Sequence, residues 1–274
     1  MTIPQLITLA TSFPATAPMP ALFVGHGSPM NAVETNEFTE NFRALAAGIP
    51  TPAAILCISA HWTTSGTHAT SMAHPPTIHD FYGFPDALYA VCYPAPGSPA
   101  LATAAAQALA PTPVGMDQDW GLDHGTWSVL CHMYPEAAVP VVQLSLDIAR
   151  GPEYHYALGQ QLRTLRSHGV LIVGSGNIVH NLGLLDFEHM GSHYGYSWAI
   201  EAADIVRTHL LSGDFAPLVD YPSLGPSMAL AVPTPEHYLP LLYILGLHDG
   251  AEPLALSSDV LVGGSISMTC VRVG

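Results

Sequence analysis

The chain has 274 residues, 49% of them apolar and only 10% charged, with a formal net charge of −15. All six basic residues are arginine and none is lysine, so no basic surface exists to neutralise nucleic-acid phosphates or to hold an anionic bilayer. An apolar fraction of this size can fill one large core, and no apolar run approaches the roughly 20 residues that span a membrane.

Residues 1–18 read as an N-terminal extension ahead of a single domain over 19–274. The extension lacks the basic start of a secretory signal. Ala21–Val24 is a short apolar run, as expected of a buried strand, and Gly-His-Gly-Ser-Pro follows it. Glu34–Ala47 has the spacing of an amphipathic helix. Ala54–Ser59 predicts a second strand, followed by Ala-His-Trp. Pro99–Ala110 predicts a helix, with Ser98 and Pro99 as a start signal. Val139–Leu146 predicts a strand, Glu153–Ser167 a helix after Pro152, and Val170–Val173 a strand that runs into Gly-Ser-Gly-Asn. Helices are expected over Tyr196–Leu211 and Glu236–Leu247, and a last strand over Ile266–Val273. Continuous apolar strands alternating with helices predict an α/β fold: one domain, with a mainly parallel central sheet covered by helices on both faces.

The four cysteines form no C-x-x-C pair. Cys57 and Cys270 fall within predicted strands, where a thiol packs as a small core residue. A reducing, cytoplasmic compartment is expected.

Fifteen histidines are many for this length. Composition leaves two readings open, metal ligands or surface replacements for the missing lysine. Position narrows the choice. In open α/β sheets, ligands bind beyond the carboxyl ends of the strands. His26, His61 and His180 each follow an apolar run, in LFVGHGSPMNA, AILCISAHWTT and VLIVGSGNIVHNLG. One such histidine is more often a hydrogen-bonded structural residue, but three at corresponding strand ends point to a shared ion. Gly25, Gly27, Gly174 and Gly176 permit tight turns and close backbone approach there. His237, beside Glu236 in TPEHYLPLLY, is a further candidate near a helix start, and His124 lies in a polar, glycine-containing loop, GLDHGTW. His155, His168 and His209 read as solvated residues on polar helix faces. The loop His79-Asp80-Phe81-Tyr82-Gly83-Phe84 offers an anion, aromatic faces and a polar rim for a substrate. Three signatures are missing: the G-x-S-x-G elbow, the lysine-bearing phosphate loop and the H-E-x-x-H zinc helix.

Taken together, ALFVGHGSPMNA, ILCISAHW, IHDFYGFP, YPAPGSP, GLDHGTWSVL, VPVVQLSLD, VGSGNIVHNL and PEHYLPLLY resemble the DOPA 4,5-extradiol dioxygenase family of class III ring-cleavage enzymes. The resemblance runs from about residue 20 to the C-terminus. It implies a non-haem metal at the strand ends, held by His26, His61 and His237. His180 completes the site in zinc-bound forms and faces the substrate as acid or base in turnover. His124 is implied as a proton carrier. Either Glu236 or His237 can supply the last ligand, and the DOPA branch favours His237. The cofactor implied is iron(II), with zinc able to occupy the site in purified protein. The partners implied are a catechol and dioxygen. With L-DOPA, the product would be 4,5-seco-DOPA, which cyclises to betalamic acid. A zinc-dependent hydrolase built on the same histidines is the alternative from a different class, and a metal-binding protein without turnover is a third.

Overall fold

Residues 13–274 are described by the computed structural model, and four parallel strands at their centre fix the position of everything else. The strands are β1 (Ala21–Gly25), β2 (Ala54–Thr64), β3 (Thr67–Thr70), β4 (Val114–Asp117), β5 (Val141–Asp147) and β6 (Val170–Gly176). They are followed by β7 (Leu254–Ser257), β8 (Leu261–Val262), β9 (Ile266–Ser267) and β10 (Cys270–Val273). Eight of them form one sheet in the order β4-β3-β5-β2-β6-β1-β10-β7, while β8 and β9 pair separately. The central β5-β2-β6-β1 block is parallel. Towards the edges the sheet turns antiparallel, where β10 joins β1 and β7, and β3 joins β5.

Side-chain alternation along the central strands feeds two cores. Ala21 and Phe23 of β1 point into one, shared with Leu56, Ile58 and Ile172. Leu22 and Val24 point into the other, with Ile55, Cys57 and Val173. Helices Pro99–Ala108, Pro152–Arg166 and Leu239–Leu247 cover the first face, and Glu37–Ala47 and His124–Met133 cover the second. All nine residues of Leu239–Leu247 are buried, as an evenly apolar helix must be.

Several boundaries differ from the sequence reading, each for a local reason. The helix expected from Glu34 starts at Glu37. The Asn36 side chain accepts from the Phe38 and Thr39 backbone N–H groups, and Thr39 caps Asn36 in return. The helix expected from Glu236 starts at Leu239, so His237 lies in a turn just before it. The final strand divides, because β9 leaves the sheet to pair with β8 while β10 stays beside β1. His124 is not in a loop but is the first residue of a ten-residue helix.

His155 is fully buried rather than solvated. Its helix packs tightly on Leu239–Leu247, where a Cβ on Gly159 would stand 2.2 Å from the Tyr243 carbonyl oxygen, and this close approach encloses the imidazole against the Tyr243 hydroxyl. His168 and His209 are half-buried, and His168 Nδ1 lies 2.7 Å from the Phe13 carbonyl. Of the extension expected over 1–18, residues 1–12 lie outside the described residues. Phe13 is buried in the first core, and Thr16 bonds through its backbone to Ser167.

No helix among the described residues is long and apolar enough to cross a membrane. All four cysteines are free thiols, with Cys57 and Cys270 buried.

Candidate metal centre

Five imidazoles converge at the carboxyl ends of the central strands, lining one cavity of about 420 Å³. His26 follows the last residue of β1, and its backbone N–H donates to Gly176 at the end of β6. His61 lies within β2, where the register against β5 shifts between Ile58 and Thr63 and pairing with β6 has ended at Ser59. The lapse in pairing frees the strand to turn this side chain into the cavity. His180 follows β6 and bridges to Ile266. His237 is brought in by its turn, which presses on the end of β6. A Cβ on Gly176 would lie 2.2 Å from the His237 carbonyl oxygen, so only glycine permits this contact.

The proton positions follow from the partners. The Ser175 hydroxyl donates to the Gly125 carbonyl, which can only accept. The 3.0 Å contact between Ser175 Oγ and His26 Nδ1 must therefore be made by an Nδ1–H donor. His26 then presents an unprotonated Nε2, which faces His61 Nε2 at 3.2 Å. The His61 Nδ1 lies 3.5 Å from Asp80 Oδ2, an arrangement that orients its lone pair in the same direction. Asp80 also accepts from the His124 backbone N–H and from His124 Nδ1, both at 2.9 Å. One carboxylate thus holds two imidazoles by their δ nitrogens. His237 Nδ1 is buried with no hydrogen-bond partner among the described residues, its nearest oxygen being Glu236 Oε1 at 3.5 Å.

Electrostatics keep His26, His61, His180 and His237 neutral. Burial, reinforced by the neighbouring imidazoles, drives the pKa of His26 and of His237 well below the ordinary histidine value. Burial lowers His61 to about 3, with His124 adding to the effect and Asp80 opposing it. Burial lowers His180 to about 4. Neutral imidazoles, with the lone pairs of His26 and His61 turned towards each other, are the protonation state that binds a cation.

Distance alone would sort the donors into two trios, His26-His61-His124 and His180-Glu236-His237, each with donor atoms within 4.8 Å of one another. Ring geometry sorts them differently, and it is the more exacting test because ligands must point at one ion. Three imidazoles bound tetrahedrally at about 2.0–2.1 Å would have centroids roughly 5.2 Å apart. His26, His61 and His237 form a triangle with sides of 5.1, 5.4 and 5.0 Å. The His61 and His124 centroids are 3.7 Å apart, and His180 stacks on His237 at 3.5 Å with 9° between planes. Both spacings are too short for two ligands of a common ion.

Beneath the ring cluster, Asp123 caps the His124–Met133 helix by accepting from Thr126 N. It also accepts from the Ser59 hydroxyl at 2.7 Å and the Gln143 amide at 2.6 Å. Burial raises its pKa, and these donors tie β2, β5 and the helix into one support.

Residues 17–266 match the family model described as the catalytic LigB subunit of aromatic ring-opening dioxygenase. The chain is 48% identical over 260 residues to a protein of Escherichia coli (strain K12) named 4,5-DOPA dioxygenase extradiol, covering 93% of this chain and 95% of that one. It is 38% identical over 252 residues to the protein of that name from Beta vulgaris, covering 89% and 92%. The crystal structure of an uncharacterized protein from Escherichia coli K12 matches with a TM-score of 0.81 at 43% identity, covering 93% of this chain and all of that one. The chain belongs to the LigB family of ring-opening dioxygenases. It is an extradiol dioxygenase, an enzyme class that depends on a metal, and the buried, neutral, convergent imidazoles suit that requirement.

In this dioxygenase the wall facing the imidazole cluster is apolar. Phe81, Phe84, Leu182, Leu185, Phe187 and Val262 contribute to it. The expected His79–Phe84 loop reaches the cavity through its aromatic faces, Phe81 and Phe84, whereas His79, Asp80 and Tyr82 do not line it. His79 Nε2 bonds the Val91 carbonyl at 3.0 Å and its ring packs on Trp127. Asp80 is engaged by His124 and His61, and Tyr82 is 91% exposed. The roles of Ser175 and Asp123 escaped sequence reading. Asp123 ahead of His-Gly-Thr-Trp carried a capping signal that could have found it, whereas Ser175 gains its meaning only from the folded contact.

Proposed function

We propose that this dioxygenase opens catechol rings with molecular oxygen at an iron(II) held by His26, His61 and His237, and that L-DOPA is among its substrates. The observation that carries the reading is the near-equilateral triangle of neutral imidazoles lining an apolar cavity. A redox-active metal bound there supplies the electron-transfer step that a spin-paired catechol lacks towards triplet dioxygen. The protein's own residues do the rest. His124 gives its Nδ1 proton to the contact with Asp80, which leaves Nε2 free to take a proton from a catechol hydroxyl. His180, stacked on His237 and not part of the triangle, stands ready as a second acid or base on the opposite side. Phe81 and Phe84 flank the ring and exclude water, which strengthens each polar interaction in the site.

The identity of L-DOPA as substrate is supported by the names of the Escherichia coli and Beta vulgaris relatives. Cleavage between carbons 4 and 5 would give 4,5-seco-DOPA, which closes to betalamic acid without further help from the protein. Protein prepared without oxygen and loaded with iron(II) should consume dioxygen when given L-DOPA and form a yellow product. Absence of uptake with iron across a series of catechols would refute the reading.

A further inference from the structure

The cavity is larger than a bare catechol needs. Its volume of about 420 Å³ falls within the roughly 300–1,000 Å³ of pockets that hold drug-sized ligands, so a ring seated at the histidines leaves room for a substituent. What that substituent meets can be read from the distribution of positive charge. The chain has no lysine and six arginines, and every arginine is engaged away from the cavity. Arg43 contacts His132, Arg150 pairs with Asp147, and Arg166 pairs with Glu252. Arg163 donates to the carbonyls of residues 246–248 at a helix end. Arg207 lies between Asp204 and Asp259, and Arg272 donates to Gly274. None lines the cavity.

The wall away from the histidines is instead formed by Leu182, Leu185, Phe187, Met190, Val262 and Ile266. Leu182 is 63% exposed and Phe187 79% exposed at its rim. Apolar side chains left open to water beside a reactive site are a surface that a ligand covers. The net charge of −15 adds a field that opposes anionic substrates.

We propose that the site selects catechols bearing an apolar, uncharged substituent, seated against Leu182, Leu185 and Phe187, over catechols bearing a carboxylate. This rests on the ring-cleavage reading above and specifies its substrate class. L-DOPA remains a substrate, but its amino-acid group finds no fixed cation and gains nothing from the rim.

The test is a series with the iron(II)-loaded enzyme: 4-methylcatechol, 4-propylcatechol, L-DOPA and 3-(3,4-dihydroxyphenyl)propionate. Two readouts are taken, kcat/KM from oxygen uptake and binding to the same protein without oxygen by equilibrium dialysis. Each added methylene should raise both by about fourfold, the equivalent of about 0.8 kcal/mol, and the carboxylate compounds should rank last. Phe187→Ala should erase most of the propyl advantage. Phe187→Arg should raise the propionate relative to 4-propylcatechol by about fivefold, the size of a good exposed ion pair. If either carboxylate substrate binds and reacts better than 4-propylcatechol in the unaltered enzyme, the proposal is overturned. No oxygen uptake with any catechol would count against ring cleavage itself, while the binding series would still decide the ranking.

Discussion

The two walls of the cavity are built on opposite principles. On the histidine wall, the imidazoles come from strand ends and helix starts, and three of the five δ nitrogens face a fixed polar group: His26 faces Ser175, and His61 and His124 face Asp80. On the substrate-facing wall, residues 182–190 form short 3-10 turns whose apolar side chains stand partly in water. Chemistry is placed on the rigid sheet, where ligand directions must hold to a fraction of an ångström. Selection is left to connecting segments that can change without disturbing it. Substitutions on the first wall should therefore act on metal and turnover, and those on the second on substrate choice.

The largest effect is expected from His26→Ala or His61→Ala, each of which should abolish metal retention and turnover together, as read by metal analysis of the purified protein. A variant that keeps its metal would break the division at its root. Next comes His124→Ala, which should retain the metal yet lose about 10²–10⁴-fold in kcat, the usual range for a general acid or base. Equal loss of metal would make it a ligand. Ser175→Ala removes the group that fixes the His26 tautomer, together with its bond to the Gly125 carbonyl, and metal affinity should fall by about 10–100-fold; competition with a chelator measures this, and an unchanged affinity would show that the tautomer needs no such help.

A third region, remote from both walls, gives the smallest effect on activity. Burial holds the His155 pKa down at about 4, whereas the unfolded chain protonates this residue near 6.5. Its cost to stability is absent above that pH. As pH falls from 6.5 towards 4 the unfolded state gains the proton first, and stability should drop by up to about 3 kcal/mol. Denaturant unfolding of His155→Gln should show a flatter slope over this window at unchanged kcat. The same slope in both proteins would assign the acid sensitivity to other groups.

The central strands and three of the five imidazoles were legible because burial on both faces leaves a continuous apolar run, and its end marks the ligand edge. His26, His61 and His180 stand where that rule puts them. The edge strands were not legible: Thr67–Thr70 and Val114–Asp117 are four residues each and only partly apolar. The helix at His124 was hidden by Gly121 and Gly125, which read as loop residues. Its formation depends on the Asp123 cap and on burying Trp127 and Leu130 in the second core. His155 misled because its sequence neighbours Glu153, Tyr154 and Tyr156 read as polar, whereas His155 itself is buried with Leu158, Gly159 and Leu162 on the side of the helix that packs against Leu239–Leu247. The His79–Phe84 loop was legible only in part. In His79–Phe84 the polar residues suggested recognition, yet folding turns the two phenylalanines inward and gives Asp80 to the histidines.

The most direct test is anomalous diffraction from crystals of the metal-loaded enzyme. One ion should lie within about 2.0–2.2 Å of a ring nitrogen of His26, His61 and His237, with His124 and His180 unbound. An ion held by His180, Glu236 and His237 and apart from His26 and His61, or none between His26, His61 and His237, would contradict the account.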